Sequence, residues 1–391
     1  MYELRLHERI AQIPREKWDA LAGADASPFV EWTWLDCLEQ SECVGPESGW
    51  HPCHLALYQT GGTSDAAPSG THGQLVAAIP AYIKTNSEGE FVFDWSWADL
   101  AARLGSEYYP KLVCAVPFTP ATGARVLISP DVTGPERTDL VRTFAAEVRK
   151  LAPQLGVHGV HVLFPPESEL GAWVDVGYLP RYGLQYHWHN RGFATFEDFL
   201  RELPSKRRTQ IRREMRQPQL DGVTIETLGP DDLTPQLVAT MYELYLTTVD
   251  KFTWGRRYLN PRFFELVAER FRDRLAWVVA RQGSRVLASA FNVRKGPRLY
   301  GRYWGTFVEM PFLHFNVCYY HGIRQSIEQG IQVFEPGAGG EHKRPRGFDP
   351  TITYSAHHLE HPRLRLVLRD YLARERDAIQ AHIASGGEEE P

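Results

Sequence analysis

Apolar positions along this chain change period in an order that occurs twice. Residues 2–10 (YELRLHERI) read as a strand, 14–21 and 27–40 as helices, and 51–59 and 74–86 as two strands. A further strand is predicted over 122–130. Over 138–156, Leu140, Phe144, Val148 and Leu151 recur at helical spacing on one side. A buried strand (GVHGVHVLFP), a short helix (SELGAWVDVG) and a strand (LQYHWHN) close this half. The second half repeats the order. After the strand VTIETLG come helices over 234–252 and 260–273, then strands over 275–282, 285–295 and 298–307. A helix over 313–330, a strand IQVFEPG and a strand TITYSAHHL follow. The repeat predicts two domains, 1–190 and 191–385, with a flexible tail over 386–391. Between the strands at 51–59 and 74–86, QTGGTSDAAPSGTHG is Gly/Ser/Thr-rich and is the best candidate for disorder.

Composition supports a two-domain reading, since 391 residues exceed one typical core. A net charge of −5 means that no whole-chain field draws in nucleic acid, so any anion site must be a local patch. The five cysteines are unclustered and without metal spacing, which points to free thiols in a reducing cytoplasm. The N-terminus lacks a basic-then-apolar leader pattern. No run of 18 apolar residues occurs, so a cytoplasmic protein without a membrane span is expected.

One local basic patch exists. In FEDFLRELPSKRRTQIRREMRQ (196–217), acids lead and cations follow, as a helix dipole favours, and Pro204 divides the segment. Lys206, Arg207, Arg208, Arg212, Arg213 and Arg216 follow that proline. Arg208, Arg212 and Arg216 at i, i+4, i+8 form a stripe about 12 Å long. With Lys206 they are candidate phosphate ligands, against the plain alternative of a solvated face.

Other clusters are less specific. VPFTPATGAR (116–125) reads as a rigid turn or a pocket wall. His187 and His189 share a strand face, but no further ligand is spaced to complete a metal site, and no metal is expected. KFTWGRRYLNP, with Trp254, reads as a lid or substrate loop. In GRYWGT, Arg302 on a buried strand calls for an anion, and Tyr303 or Trp304 faces the core. His314, Cys318 and His321 fall on one face of the predicted helix, with Cys318 read as a buried structural thiol.

The richest segment is FEPGAGGEHKRPRGFDP (334–350). Gly337, Gly339, Gly340 and Gly347 permit close backbone approach, and Glu341, His342, Lys343, Arg344 and Arg346 crowd beside them. Glu341 or His342 is a candidate proton carrier, and Gly339, Gly340 and Lys343 are candidate oxyanion donors. Arg346 is assigned to substrate binding with Arg302, Tyr303, Trp254 and His314. The counterpart in the first half, VLFPPESELGAW, lacks the paired glycines, the histidine and the cations. If one copy is active, it is the second.

Taken together, EFVFDWSWADL, YYPKLVCAVPFTPATGARVL, GLQYHWHNRGF, SKRRTQIRRE, LYGRYWGT, FLHFNVCYYHGI and FEPGAGGEHKRPRGFDPTITYSAH resemble the FemAB-like family. That family lies within the GNAT acyltransferase superfamily, and the resemblance covers roughly residues 28–375. It implies an α+β fold of tandem GNAT-like domains, each a mixed, mainly antiparallel sheet flanked by helices. It also implies acyl or aminoacyl transfer to an amine. The donor is aminoacyl-tRNA or acyl-CoA, no cofactor is tightly bound, and the acceptor is a small molecule or a cell-wall precursor. A tRNA acceptor end is an implied partner. GNAT enzymes that use acyl-CoA hold it with an R/Q-x-x-G-x-G/A loop. The corresponding segments here, TFVEMPFLHF (306–315) and SPDVTGPERTDL (129–140), lack that spacing, which argues against ordinary acetyl-CoA binding. A CoA-dependent N-acyltransferase and a non-catalytic recognition protein stay as alternatives, and oligomeric state is left open.

Overall fold

A computed structural model describes residues 2–24, 26–60, 73–251 and 256–385. Trp254, most of the Gly/Ser/Thr-rich loop and the tail 386–391 lie outside the described residues. Contacts divide the chain into two units, residues 1–184 with 352–391, and residues 185–351. The sequence reading kept 191–385 together; in the structure the stretch from Ile352 packs with the first unit instead.

In chain order the elements are β1 (Tyr2–His7), α1 (Arg15–Ala22), α2 (Trp32–Gln40), β2 (Trp50–Pro52), β3 (His54–Gln59), β4 (Gln74–Ile79) and β5 (Ala81–Lys84). Next come α3 (Trp95–Arg103), β6 (Lys111–Cys114), β7 (Leu127–Ile128), α4 (Gly134–Leu151), β8 (Gly159–Leu163), α5 (Glu167–Asp175) and β9 (Leu179–His189). The chain continues with α6 (Phe196–Arg201), α7 (Ser205–Leu220), β10 (Val223–Thr227), α8 (Pro235–Val249), α9 (Pro261–Arg270), β11 (Val278–Gln282), β12 (Arg285–Lys295) and β13 (Arg298–Thr306). It ends with α10 (Leu313–Phe315), α11 (His321–Glu328), β14 (Val333–Glu335), β15 (Asp349–Leu359) and α12 (Pro362–Ala384). Helices α3 and α12 stand where apolar periodicity places no element.

In the first unit, β1, β3, β4 and β7 form one sheet. In the other, β6 lies parallel to β8, and β15 adds antiparallel to β8 from Ser355↔Leu163 to Leu359↔Gly159. That pairing is why the C-terminal strand leaves the domain its sequence position suggests. Helix α4 covers the sheet with Leu140, Phe144 and Val148 of the predicted stripe and with Val141, while Leu151 packs at the edge of the cluster.

In the second unit β10, β11, β12 and β13 form an antiparallel meander. Its core holds Val278, Ala280, Leu287, Leu313 and Val317. Strand β14 lies parallel to β13, but only over Arg298–Tyr300 against Val333–Glu335. Beyond Tyr300 this ladder stops, and the candidate loop begins just after β14.

Helix α8 approaches β13 closely at Gly305. A Cβ there would lie 1.8 Å from the Leu244 carbonyl oxygen, a backbone atom that cannot swing aside. Thr247 reinforces the contact, its hydroxyl accepting from the Thr306 amide at 3.0 Å. Gly305→Ala is therefore expected to lower stability by at least about 1–3 kcal/mol, the range of overpacked cores. Urea unfolding measures this; an unchanged midpoint would show that the helix is free to retreat. Among the described residues no helix is long and apolar enough to cross a membrane.

Candidate active site

The segment after β14 is organised by one lysine. Lys343 is buried, and its Nζ donates to the carbonyls of Gly337 at 2.7 Å and Gly339 at 2.6 Å, with Ala338 at 3.4 Å. Gly337, Gly339 and Gly340 have φ of 95°, 71° and 90°, values that favour glycine. In a trans peptide the N–H points opposite to the preceding C=O. Gathering carbonyls 337–339 on one ammonium therefore turns the amides of Ala338, Gly339 and Gly340 outward. Gly340 is constrained a second time, because a Cβ there would meet Cε1 of His342 at 2.7 Å. Burial pulls the Lys343 pKa down to about 8. With its donors directed at the loop carbonyls, Lys343 shapes the loop, and the oxyanion donors on offer are the backbone amides.

The short helix Glu341–Arg346 follows, and Arg346 is turned inward. Its guanidinium grips Glu214 of α7, Nη2 to Oε1 at 2.9 Å and Nε to Oε2 at 3.1 Å. Both side chains are nearly buried, at 8% and 4% exposure. Arg346 Nη1 also donates to the His342 carbonyl at 2.6 Å, and its Cζ lies 3.4 Å from the Phe315 ring centroid. Glu214 accepts further bonds from Tyr320 Oη and from Gln210 Nε2 at 2.8 Å. Asn316 Nδ2 donates to the Glu214 carbonyl, also at 2.8 Å. The loop and the segment of Tyr320 thus meet helix α7 on one carboxylate, and Arg346 holds the loop rather than facing solvent.

Between α10 and α11 the chain makes a π-helical turn, Asn316–Tyr320. Such turns insert one residue into the helical register and recur at functional sites. Here the turn presents adjacent tyrosines to different partners: Tyr320 bonds Glu214, while Tyr319 Oη bonds His342 Nε2 at 2.8 Å. Burial raises the Tyr319 phenol pKa, so it keeps its proton. The His342 ring is only partly covered, and its pKa is lowered first by that partial burial and then by the Lys343 and Arg346 cations. Glu341 is exposed beside it. His314 stacks edge-on to Trp304 with centroids 4.9 Å apart and lies 6.1 Å from the His342 ring. Its pKa falls to about 4 through burial and the neighbouring His342, so it is neutral. The single helix face expected for His314, Cys318 and His321 is broken by the π turn. His321 instead bonds Thr227 Oγ1 at 2.8 Å, and burial pushes the Cys318 thiol pKa up.

The loop therefore gathers Gly339, Gly340, Glu341, His342, Lys343, Arg346 and His314. It does not gather the basic stripe. At about 100° per residue, Arg212 and Arg216 lie about 160° from Glu214 around α7. Arg212 pairs with Glu197 at 2.6 Å, Arg208 bonds the Leu203 carbonyl at 2.8 Å, and Lys206 and Arg216 are exposed. Arg302 lies with Cζ 5.4 Å from the Tyr303 ring, its pKa lowered by burial, with Glu335 as the nearby anion. The Tyr303 ring packs on Tyr245 at 5.0 Å, a core contact. Sequence reading missed Tyr319, Tyr320, Asn316 and Glu214. The signal available was Glu214 itself, a lone acid inside a run of cations.

The first unit has its own concentration of buried charge. Lys111 Nζ donates to Asp94 at 2.5 Å and Glu90 at 2.9 Å, and Tyr108 Oη donates to Asp94 at 2.6 Å. Lys84, Glu90, Asp94 and Lys111 are all essentially inaccessible, which suits a structural network more than a site. In the counterpart of the candidate loop, Glu169 accepts from the Arg125 amide at 3.2 Å and is likewise enclosed.

The sequence model of one family, FemAB-like, described as peptidoglycan biosynthesis/recognition, matches residues 9–391. The chain belongs to the FemAB-like family. It is thus a transferase, with a mixed α/β fold in two units. Solved structures share the fold of this FemAB-like protein at low identity. The C-terminal domain of a putative lysylphosphatidylglycerol synthetase from Agrobacterium fabrum has a TM-score of 0.53 at 12% identity, covering 96% of this chain and 98% of that one. L-PGS from Bacillus licheniformis has a TM-score of 0.53 at 10% identity, covering 92% and 97%. A structure of FemX has a TM-score of 0.52 at 10% identity, covering 93% and 99%. No curated protein matches the chain.

Proposed function

We propose that this FemAB-like chain moves an aminoacyl or acyl group from an oxygen ester to a substrate amine at the 337–346 loop. The observation that carries the reading is the pairing of outward-turned amides at 338–340 with His342 held by Tyr319. With Nε2–H donating to Tyr319 Oη, His342 Nδ1 carries the lone pair a general base needs. The amine nitrogen attacks the ester carbonyl carbon and loses its proton to Nδ1. The carbonyl oxygen gains negative charge facing the loop amides. The C–O bond then breaks, and the departing alcohol takes back the proton. Both rings next to the site, His314 and His342, have lowered pKa values and are neutral near pH 7.

The donor we favour is a charged tRNA, and the acceptor an amine on a cell-wall precursor. Family membership supports the acceptor, and the exposed cations Lys206, Arg213 and Arg216 on α7 support contact with a phosphate backbone away from the reacting atoms. The test is label transfer. Purified chain is mixed with tRNA charged with radiolabelled amino acids and with a soluble precursor bearing a free amine. Label moving to the precursor supports the reading. Transfer from acyl-CoA and none from charged tRNA would replace it with a CoA-dependent reaction.

A further inference from the structure

Beside the loop, the end of β13 and the segment leading into α10 enclose a groove of about 460 Å³. Trp304, Val308, Met310 and Leu313 give it apolar walls, and His314 and Glu309 stand in its lining. Trp304, Val308 and Met310 rest on the unit's core, so the walls are supported from behind. Among the described residues no lysine or arginine lines the groove. Its one fixed charge is negative, since burial keeps His314 neutral. Glu309 is exposed and forms no ion pair among the described residues. The groove borders the candidate site: His314, which lines it, lies 6.1 Å from the His342 ring.

We infer that this groove is the side-chain subsite of the transferred group, taking an aminoacyl moiety whose ammonium meets Glu309 and whose apolar side chain lies against Trp304, Val308 and Met310. The inference rests on the acyl-transfer reading above. Charge decides the class of ligand: a pyrophosphate placed here would meet a carboxylate and no cation, whereas an ammonium finds its counter-charge. The walls decide the side chain, since apolar surface is rewarded by apolar burial. A glycyl or lysyl group would leave those walls wet.

Calorimetric titration of the full chain with small esters tests this without requiring turnover. Phenylalanine and leucine methyl esters are expected to bind at least about tenfold tighter than glycine methyl ester. Glu309→Gln, a surface change, is expected to weaken phenylalanine methyl ester about three- to fivefold, as an exposed charge pair allows. The same variant leaves methyl 3-phenylpropanoate, which lacks the ammonium, unchanged. Equal binding of glycine and phenylalanine esters, an unaltered Glu309→Gln affinity, or tight binding of coenzyme A to the native chain would overturn the subsite. Selective ester binding with no transfer from any donor would leave the subsite standing and remove the transfer reading. Transfer indifferent to side chain would do the reverse.

Discussion

His342→Asn lowers kcat by about 10²- to 10⁴-fold, the usual contribution of a positioned general base, while the unfolding midpoint stays within experimental scatter. Stability is spared because the ring is only partly covered and, among the described residues, its one side-chain hydrogen bond is to Tyr319. Tyr319→Phe reduces turnover less, since it removes the partner that orients the ring and leaves the base in place. The pH profile follows from the charges around the ring. Burial and the Lys343 and Arg346 cations hold the His342 pKa below the ordinary 6.5, so the base is free at pH 7. Activity therefore has an acidic limb below pH 6.5 that is lost in His342→Asn. Full turnover in both His342→Asn and Glu341→Gln, measured in the label-transfer assay, would remove the loop from the mechanism.

Arg346→Met is expected to destabilise the second unit by about 3–5 kcal/mol, because it strands the buried Glu214 carboxylate. The residual bonds from Tyr320 and Gln210 do not replace a guanidinium that contacts both carboxylate oxygens. Glu214→Gln has a comparable effect from the other side, leaving the Arg346 charge against Phe315 and the His342 carbonyl without its anion. Glu214→Leu combined with Arg346→Met recovers most of the loss, since exchanging a buried pair for apolar residues is often neutral. Urea unfolding of Arg346→Met, Glu214→Leu and the double variant gives the coupling. Single-variant losses below about 1 kcal/mol would mean that water reaches the pair. The double variant also separates stability from catalysis. If it folds but turns over poorly, the bridge matters because it fixes the His342 carbonyl and hence the loop.

Much of this fold is legible along the chain. Period-2 and period-3.6 patterns locate β12, β13, α4 and α8 because one face of each meets an apolar core. The repeated order predicts two similar units. The glycine, histidine and lysine content of 337–343 marks the loop because no ordinary turn needs all of them together. Charged side chains mislead where they are turned inward. Arg346 and Lys343 look like ligand-binding cations in sequence, yet both hold the loop from within. The stripe Arg208, Arg212, Arg216 is real by spacing, but it faces away from the carboxylate that ties α7 to the site.

What the sequence by itself determines, then, is the type and buried face of strongly periodic elements such as β12, β13, α4 and α8, and the residues of the loop after β14. Local backbone sterics and apolar periodicity suffice for that. Tertiary structure alone decides that β15 pairs with β8, that β13 and β14 part after Tyr300, and that Glu214, Arg346, Tyr319 and His342 form one connected network. Some of these contacts join residues very far apart in sequence, 196 positions for His161 and His357 and more for Gly159 and Leu359. Partner choice over such distances is set by which buried polar group finds its counter-charge. No pattern confined to neighbouring residues carries that information.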